Sequence, residues 1–338
     1  MTDSAGTSLV IGIDGGGTKT DVCVSTERGQ VVGFATGGGA NWEGTGLEAV
    51  GDVLHRLVGQ AVSDAGVGRG DIDASAFCLA GVDWPSDFER LTPHIDALGI
   101  RGPRTITNDS FAALRAGTPD GYGCVSIAGT GGVAAGRNRA GEMARTMGVG
   151  MGEGAGAWGL VAEALVAIAG EYHLSGPPTE LTKRLLDATD SSTTPELFEA
   201  LSRGTKLVGS ELAMHVLDAS RAGDPVAAAI ARQCGDQHGR DTAGVARRLG
   251  MTDAFDVVLA GGVHVGGEES FRSGFTDAIT SVAANLRVLT APPVAGAALL
   301  ALELLDIDVR PIHAELCDGA TLARSERHAA QTGAEDNQ

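Results

Sequence analysis

The sequence predicts an α/β chain made of two domains built on one plan. Its 338 residues make room for about two domains at roughly 150 residues each. Short apolar runs of strand character alternate with longer stretches of helical spacing, the mark of mixed sheets covered by helices. A strand, a Gly/Thr turn and an antiparallel return occur first from residue 9 and again from residue 123.

Leu9–Ile13 reads as a buried strand running into Asp14-Gly15-Gly16-Gly17-Thr18. No helix follows, because 21–26 alternates apolar and polar, 28–30 is a turn, and 31–35 is apolar again; this predicts an antiparallel meander. Val50, Val53, Leu54, Leu57, Val58, Ala61 and Val62 share one face of a helix over 46–65. A strand at 75–80, a helix at 86–97, a strand at 104–107 and a helix at 109–117 complete a first domain, residues 1–117. In the second, residues 118–292, CVSIA at 124–128 leads into Gly129-Thr130-Gly131-Gly132 and a returning strand. Helices are expected at 155–169, 179–188, 195–203, 205–219 and 225–249, a strand at 257–263, a helix at 270–284 and a strand at 286–289. A final helix spans 293–305, and the polar, aperiodic stretch 306–338 reads as a loosely ordered tail.

Composition narrows the function. Lys plus Arg number 25 and Asp plus Glu 43, a net charge of −18. That charge repels phosphate backbones and anionic lipid, so neither a nucleic acid nor a membrane is expected as a partner. The apolar start ends at Asp14, and the longest apolar run, 294–305, carries Glu303 and is too short to span a bilayer. Cys23, Cys78, Cys124, Cys234 and Cys317 show no metal or redox spacing and read as buried thiols of a cytoplasmic protein. His238 sits on an apolar helical stripe and reads as a core histidine. Aromatics are only 4%, whereas glycines number 51 and need an explanation.

The turn at 14–20 supplies one. A Walker loop would place Lys directly after Gly and lead into a helix, and a dinucleotide fingerprint also needs a helix behind it. A tight hairpin whose backbone N–H groups form an anion nest fits the strand context, although an ordinary glycine hairpin does too. In the nest reading Gly15, Gly16 and Gly17 let the backbone approach phosphate oxygens, with φ above zero where required. Thr18 and Lys19 add a hydroxyl and a charge, and Asp14 holds Mg²⁺ directly or through water. A second turn at Gly129, Thr130 and Gly131 favours function, since two nests can hold both ends of a triphosphate.

Four segments in order, DGGGTKT at 14–20, TNDSFAAL at 107–114, AGTGG at 128–132 and VLAGGV at 258–263, resemble the N-acetylglucosamine kinase and BadF/BadG/BcrA/BcrD ATPase family. That family belongs to the actin, Hsp70 and sugar-kinase superfamily. The resemblance implies two ribonuclease-H-like, actin-like ATPase domains around a cleft, with mixed five-stranded sheets flanked by helices. It also implies helical insertions in the second domain and a last helix that packs back on the first. ATP and Mg²⁺ as cofactors, a small-molecule sugar as substrate and a homodimer complete the expectation.

Carried over position by position, Asp109 matches the catalytic carboxylate that takes the proton of the attacking hydroxyl. The bland alternative makes Asp109 a helix N-cap, with Asn108 or Ser110 as other candidates for that task. Asn41 and Trp42 match a sugar contact, joined by Gly81, Asp109, Thr130 and Glu153; a loop Asn and an edge-filling Trp are the plain reading. Gly261 and Gly262 match the adenosine site, or a simple strand end. One departure concerns 150–155, where Gly152 stands in place of the family's sugar-binding Asp and Ala155 in place of its Ser. These matches imply phosphoryl transfer to the 6-hydroxyl of an amino sugar, N-acetylglucosamine first, with glucosamine or N-acetylmuramic acid as alternatives. An ATPase activator with cluster-ligating cysteines, or an ATP-binding regulator, is the rival from another class.

Overall fold

A computed structural model of the chain describes residues 7–147 and 156–335. The described chain divides into two compact units, one built from the chain up to Tyr122 and from Leu289 onward, the other from Gly123–Val288.

The first unit runs β1 (Leu9–Gly15), β2 (Lys19–Thr26), β3 (Val31–Gly38), α1 (Trp42–Thr45), α2 (Leu47–Asp64), β4 (Ala74–Leu79), α3 (Pro85–Asp96), β5 (Arg104–Thr107) and α4 (Ser110–Gly117). Its sheet has the order β3-β2-β1-β4-β5. The first three strands form the expected antiparallel meander, and β4 and β5 run parallel to β1. Side chains alternate across a strand. Ile11, Ile13, Val22, Val24, Phe77 and Leu79 therefore pack under α2 and α3, against Leu54, Leu57, Val58 and Leu91. Burying an aliphatic side chain of this kind contributes about 1.5–3 kcal/mol.

The opposite face, with Val10, Cys23, Phe34, Ala74 and Ala76, is covered by two helices from the end of the chain, α12 (Pro293–Glu303) and α13 (His313–Glu335). A Cβ on Gly12 would lie 2.2 Å from the Ala298 nitrogen, so α12 rests directly on the backbone of β1. Gly296 in turn lies on α4, where a Cβ would meet the Ala112 carbonyl at 1.9 Å. Arg115 of α4 is buried and donates from Nε to Glu303 of α12 at 2.7 Å.

The expected loose tail at 306–338 is a correction, because this stretch carries α13. Leu316, Cys317 and Ala320 are buried against Val31, Val309 and Ile312. The stripe is hard to see in the sequence because Cys and Ala carry little hydrophobic contrast among polar neighbours.

The second unit repeats the sheet. Its elements are β6 (Gly123–Ala128), β7 (Gly132–Arg137), β8 (Met143–Arg145), α5 (Ala157–Tyr172), α6 (Glu180–Ala188), α7 (Thr194–Ser202), α8 (Ala213–Arg221), α9 (Pro225–Arg248), β9 (Phe255–Ala260), α10 (Gly262–Gly266), α11 (Glu269–Ile279) and β10 (Ala284–Val288). The order β10-β9-β6-β7-β8 has the same pattern of parallel and antiparallel pairs as the first sheet. The expected helix over 205–219 begins later, at Ala213. Thr205 and Lys206 instead cap α7, both N–H groups donating to the Ala200 carbonyl, while Lys206 Nζ reaches back to the Asp190 carbonyl in the α6–α7 loop.

Candidate active site

The antiparallel register places Asp14 opposite Asp21, and Asp21 opposite Thr36. Cross-strand partners share a face. These three therefore form a row on the face that α12 and α13 cover, beyond Val10 and Gly12. Asp21 is fully buried, and its two oxygens are treated differently. Thr36 Oγ1 donates to Oδ1 at 2.6 Å, while Lys19 Nζ and Arg324 Nε lie 3.1 and 3.5 Å from Oδ2. Burial, then the nearby Asp109 and Asp21, raise the Asp14 carboxyl well above its ordinary range, against a smaller pull from Arg324.

That concentration of carboxylates on one sheet end fits a bound cation. Among the described residues no group of three or more His, Cys, Asp or Glu side chains could hold a metal unaided. An ion beside Asp14 would therefore take its other ligands from phosphate and water, which is the habit of Mg²⁺.

The β1–β2 turn is tight: Gly16 N–H donates to the Lys19 carbonyl at 2.9 Å, and Ala40 N–H donates to the Gly16 carbonyl at 3.0 Å. Gly17 and Thr18 are exposed, and space is open where a Gly17 Cβ would stand. This leaves room for a ligand to approach the backbone. The possibility of positive φ is not used here, since Gly15, Gly16 and Gly17 all lack it. Gly39, which the sequence reading passed over, closes the turn from behind, where a Cβ would lie 2.2 Å from the Gly17 carbonyl oxygen.

Asp109 stands at the mouth of α4. Its side chain makes no cap hydrogen bond. Asn108 does the capping, since its Oδ1 accepts from Ser110 N–H at 3.1 Å and from Ser110 Oγ at 2.6 Å. Asn108 Nδ2 also donates to Asp83 at 3.0 Å, which fixes the turn from a second side. The cap reading of Asp109 is thereby set aside in favour of its neighbour.

Asn41, Trp42 and Gly81 do come together. Trp42 Nε1 donates to the Gly81 carbonyl at 2.6 Å, and the Arg90 guanidinium lies over the indole at 5.1 Å. Gly81 has φ +77°, and a Cβ there would meet Asn41 Oδ1 at 2.6 Å. Asn41 Oδ1 accepts from Glu43 N–H and caps α1. The cluster is thus partly structural. Glu153, Gly152 and the rest of that segment lie outside the described residues.

In the second unit the turn at Gly129–Gly131 docks on α5. The Gly129 and Thr130 carbonyls accept from Ala157 and Trp158 N–H at 2.9 and 3.1 Å, satisfying donors that a helix start leaves open. Gly261, with φ +87°, approaches so closely that a Cβ would lie 2.3 Å from the Ala128 carbonyl oxygen. The two glycine segments, far apart in sequence, are therefore one site in space at the ends of β6 and β9. Gly262 and Gly129 face open space. Behind them Ser126 Oγ lies 3.2 Å from His238 Nδ1 and 3.0 Å from His264 Nε2. His238 is indeed a core residue, 1% exposed. Burial, then His238, lowers the His264 imidazole to about 3.

The family model for the BadF/BadG/BcrA/BcrD ATPase family matches residues 11–301. The chain belongs to this family. An N-acetylmuramic acid/N-acetylglucosamine kinase of Clostridium acetobutylicum is 29% identical over 259 residues, covering 75% of this chain and 85% of that protein. An N-acetyl-D-glucosamine kinase of Dictyostelium discoideum is 29% identical over 192 residues, 53% of this chain and 60% of its own length. Among solved structures, a ROK family glucokinase from Streptomyces griseus, in complex with glucose and AMPPNP, has TM-score 0.56 and 20% identity. It covers 88% of this chain, and all of the glucokinase chain (100%) is matched. A Chromobacterium violaceum protein provisionally assigned as an N-acetylglucosamine kinase has TM-score 0.66 and 22% identity, covering 87% of this chain and 99% of its own. The fold expected from the resemblance, with its two mixed five-stranded sheets flanked by helices, is the one this family member adopts. Among the described residues no helix is long and apolar enough to cross a membrane.

Proposed function

We propose that the protein is an ATP-dependent amino-sugar kinase that transfers the γ-phosphoryl group to the 6-hydroxyl of N-acetylglucosamine. N-acetylmuramic acid and glucosamine are alternatives within the same class. One observation carries the reading: Asp109 sits at a helix mouth whose capping is done by Asn108, close enough to Asp14, at the start of the hairpin that would hold the phosphates, for the two carboxylates to interact. A carboxylate in that position can take up the proton of an attacking hydroxyl.

In this reading Gly15, Gly16, Gly17, Thr18 and Lys19 hold phosphate oxygens by backbone and side-chain donors, and Gly129, Thr130 and Gly131 do so from the second sheet. Asp109 orients the 6-hydroxyl and accepts its proton as the oxygen bonds to phosphorus and the bond to the ADP oxygen breaks. Mg²⁺ beside Asp14 would offset charge that gathers on the phosphates. Asn41 and Trp42, with Gly81, position the sugar, and Gly261 and Gly262 lie against the adenosine. The protein works in the cytoplasm as a homodimer, which sedimentation of the purified chain would test.

The cysteine-cluster rival has little support, since all five cysteines are buried inside the chain rather than presented at a surface where a partner copy could share a cluster. The test of the kinase reading is coupled ADP release by the full chain with Mg-ATP and a panel of glucose, glucosamine, N-acetylglucosamine, N-acetylmannosamine and N-acetylmuramic acid. Release that depends on an N-acetylated sugar supports it. ADP release indifferent to every sugar overturns it.

A further inference from the structure

Between the first sheet and α13 lies a cavity of about 580 Å³. Lys19 and Thr36 line it from the sheet, and Thr321, Arg324, Ser325 and His328 line it from α13. Lys19, Arg324 and His328 carry N–H groups, and the other three carry hydroxyls. Among the described residues no carboxylate lines the cavity. In a chain with 43 acids against 25 bases, that inverts the general charge balance.

The nearby carboxylates lie under the lining. Asp21 is wholly buried, with Lys19 and Arg324 converging on its Oδ2, and Asp14 beside it also feels Arg324; the two cations line the cavity and the two carboxylates do not. An ammonium carries three N–H donors and a guanidinium five, so Asp21 engages only part of either group. Both side chains are 41% exposed. The hydroxyls of Thr36, Thr321 and Ser325 donate within the protein, to Asp21 and to the Cys317 and Thr321 carbonyls, which leaves their oxygens to accept from a hydroxylated ligand. A volume in the range of small-molecule sites is larger than a bare phosphate needs, and it suits a phosphate carried on a hydroxylated body.

We propose that this cavity is a second ligand site, one that binds a small sugar phosphate, its phosphate gripped by Arg324 and His328. Four of its lining side chains, Thr321, Arg324, Ser325 and His328, come from α13, which begins after the family match ends at 301. The site is thus built on a part of the chain beyond the matched family region. Lys19 also ends the β1–β2 hairpin, so a ligand here touches the nucleotide loop through one side chain. The product of the proposed reaction belongs to this ligand class; that link rests on the kinase reading, whereas the binding itself does not.

The test uses the full chain held with saturating AMPPNP, Mg²⁺ and N-acetylglucosamine, so that the proposed catalytic site is filled. Calorimetric titration with N-acetylglucosamine 6-phosphate should show one further equivalent bound. Inorganic phosphate should bind the same site at least several-fold more weakly. Arg324→Gln should weaken the ester at least 10-fold and His328→Gln several-fold, with Arg324→Lys restoring part of the loss. Because Arg324→Gln disturbs buried Asp21, His328→Gln and Ser325→Ala, on the exposed side of α13, provide readouts that do not depend on it. Absence of binding to the filled protein, or affinity unmoved by both the Arg324 and His328 substitutions, would overturn the proposal. Should the chain prove not to be a kinase, the same titration without AMPPNP and sugar still reads the site, with the same dependence on Arg324 and His328.

Discussion

The two sheets share strand order and direction, yet their leading turns are built for different work. The β1–β2 turn stands over a row of ionisable groups, with Asp14 and Asp21 on one face and Lys19 and Arg324 against them. Among the described residues the β6–β7 turn has no such row. Its carbonyls hold the start of α5, its flank is pressed by Gly261, and a Ser flanked by two imidazoles lies behind it. One topology thus carries charge handling in the first sheet and close backbone approach in the second. The difference arises from which residues fall on the inner face of each hairpin.

The largest expected effect breaks the first side of this comparison. Asp109→Asn keeps shape and removes proton acceptance, so sugar-dependent ADP release should fall by about 10²–10⁴-fold. Nucleotide affinity, read by titration, should stay within a few-fold of the original. Next come matched substitutions in the two turns. Gly16→Val puts a Cβ 3.3 Å from the Lys19 carbonyl, and Gly129→Val puts one into open space. Both proteins should fold. Both should lose nucleotide affinity, by about tenfold or more, equivalent to at least 1.4 kcal/mol. Unchanged affinity in a folded Gly129→Val would confine phosphate binding to the first turn.

Acid should separate the two sheets as well. Asp14 has its folded pKa raised, so its charge destabilises the folded protein above that pKa, and stability is recovered as pH falls through it. Asp14→Asn should therefore raise the melting temperature of the ligand-free protein at neutral pH, and the gain should shrink in acid. His264 behaves in the opposite way. Its folded value of about 3 lies below the ordinary imidazole range, so stability is lost as pH falls from 6.5 toward 3. At most one proton is involved, roughly 1.4 kcal/mol per pH unit. His264→Gln should flatten the acid side of the melting profile, since an amide can still bond Ser126 without ionising.

The smallest effect belongs to Asn41. Losing its cap bond to Glu43 costs about 1 kcal/mol by analogy with other N-caps. The sugar-contact reading adds a rise in KM for the sugar with little change in KM for ATP. A melting-temperature loss alone, without that split, would assign Asn41 to structure only.

Much of this architecture was legible in the sequence. The apolar run at 9–13, the alternation at 21–26 and the glycines between them give an antiparallel meander because a Walker or dinucleotide turn would need a helix behind it. The second sheet was visible for the same reason, through the recurrence at 123–137. The row Asp14, Asp21 and Thr36 was not, because it depends on register, which appears only once the turn at 16–19 is fixed. Arg324 was hidden for a different reason: α13 buries Cys and Ala, whose weak hydrophobic contrast looks like a polar tail. Asn108 was weighed as a cap beside Asp109, and geometry decides between them. Gly39 and Gly261 show one use of the glycine excess near the site, which is to let one backbone segment lie on another, whereas Gly17, Gly129 and Gly262 leave space open.

Transfer to a sugar hydroxyl is decided by the identity of the product. The full chain, Mg-ATP and an equimolar mixture of N-acetylglucosamine and N-acetylmuramic acid would be incubated, and the products read by phosphorus and carbon NMR. The account expects a new phosphate monoester on carbon 6 of an amino sugar, formed one for one with ADP and lost with Asp109→Asn. Inorganic phosphate and ADP with no sugar ester would contradict it.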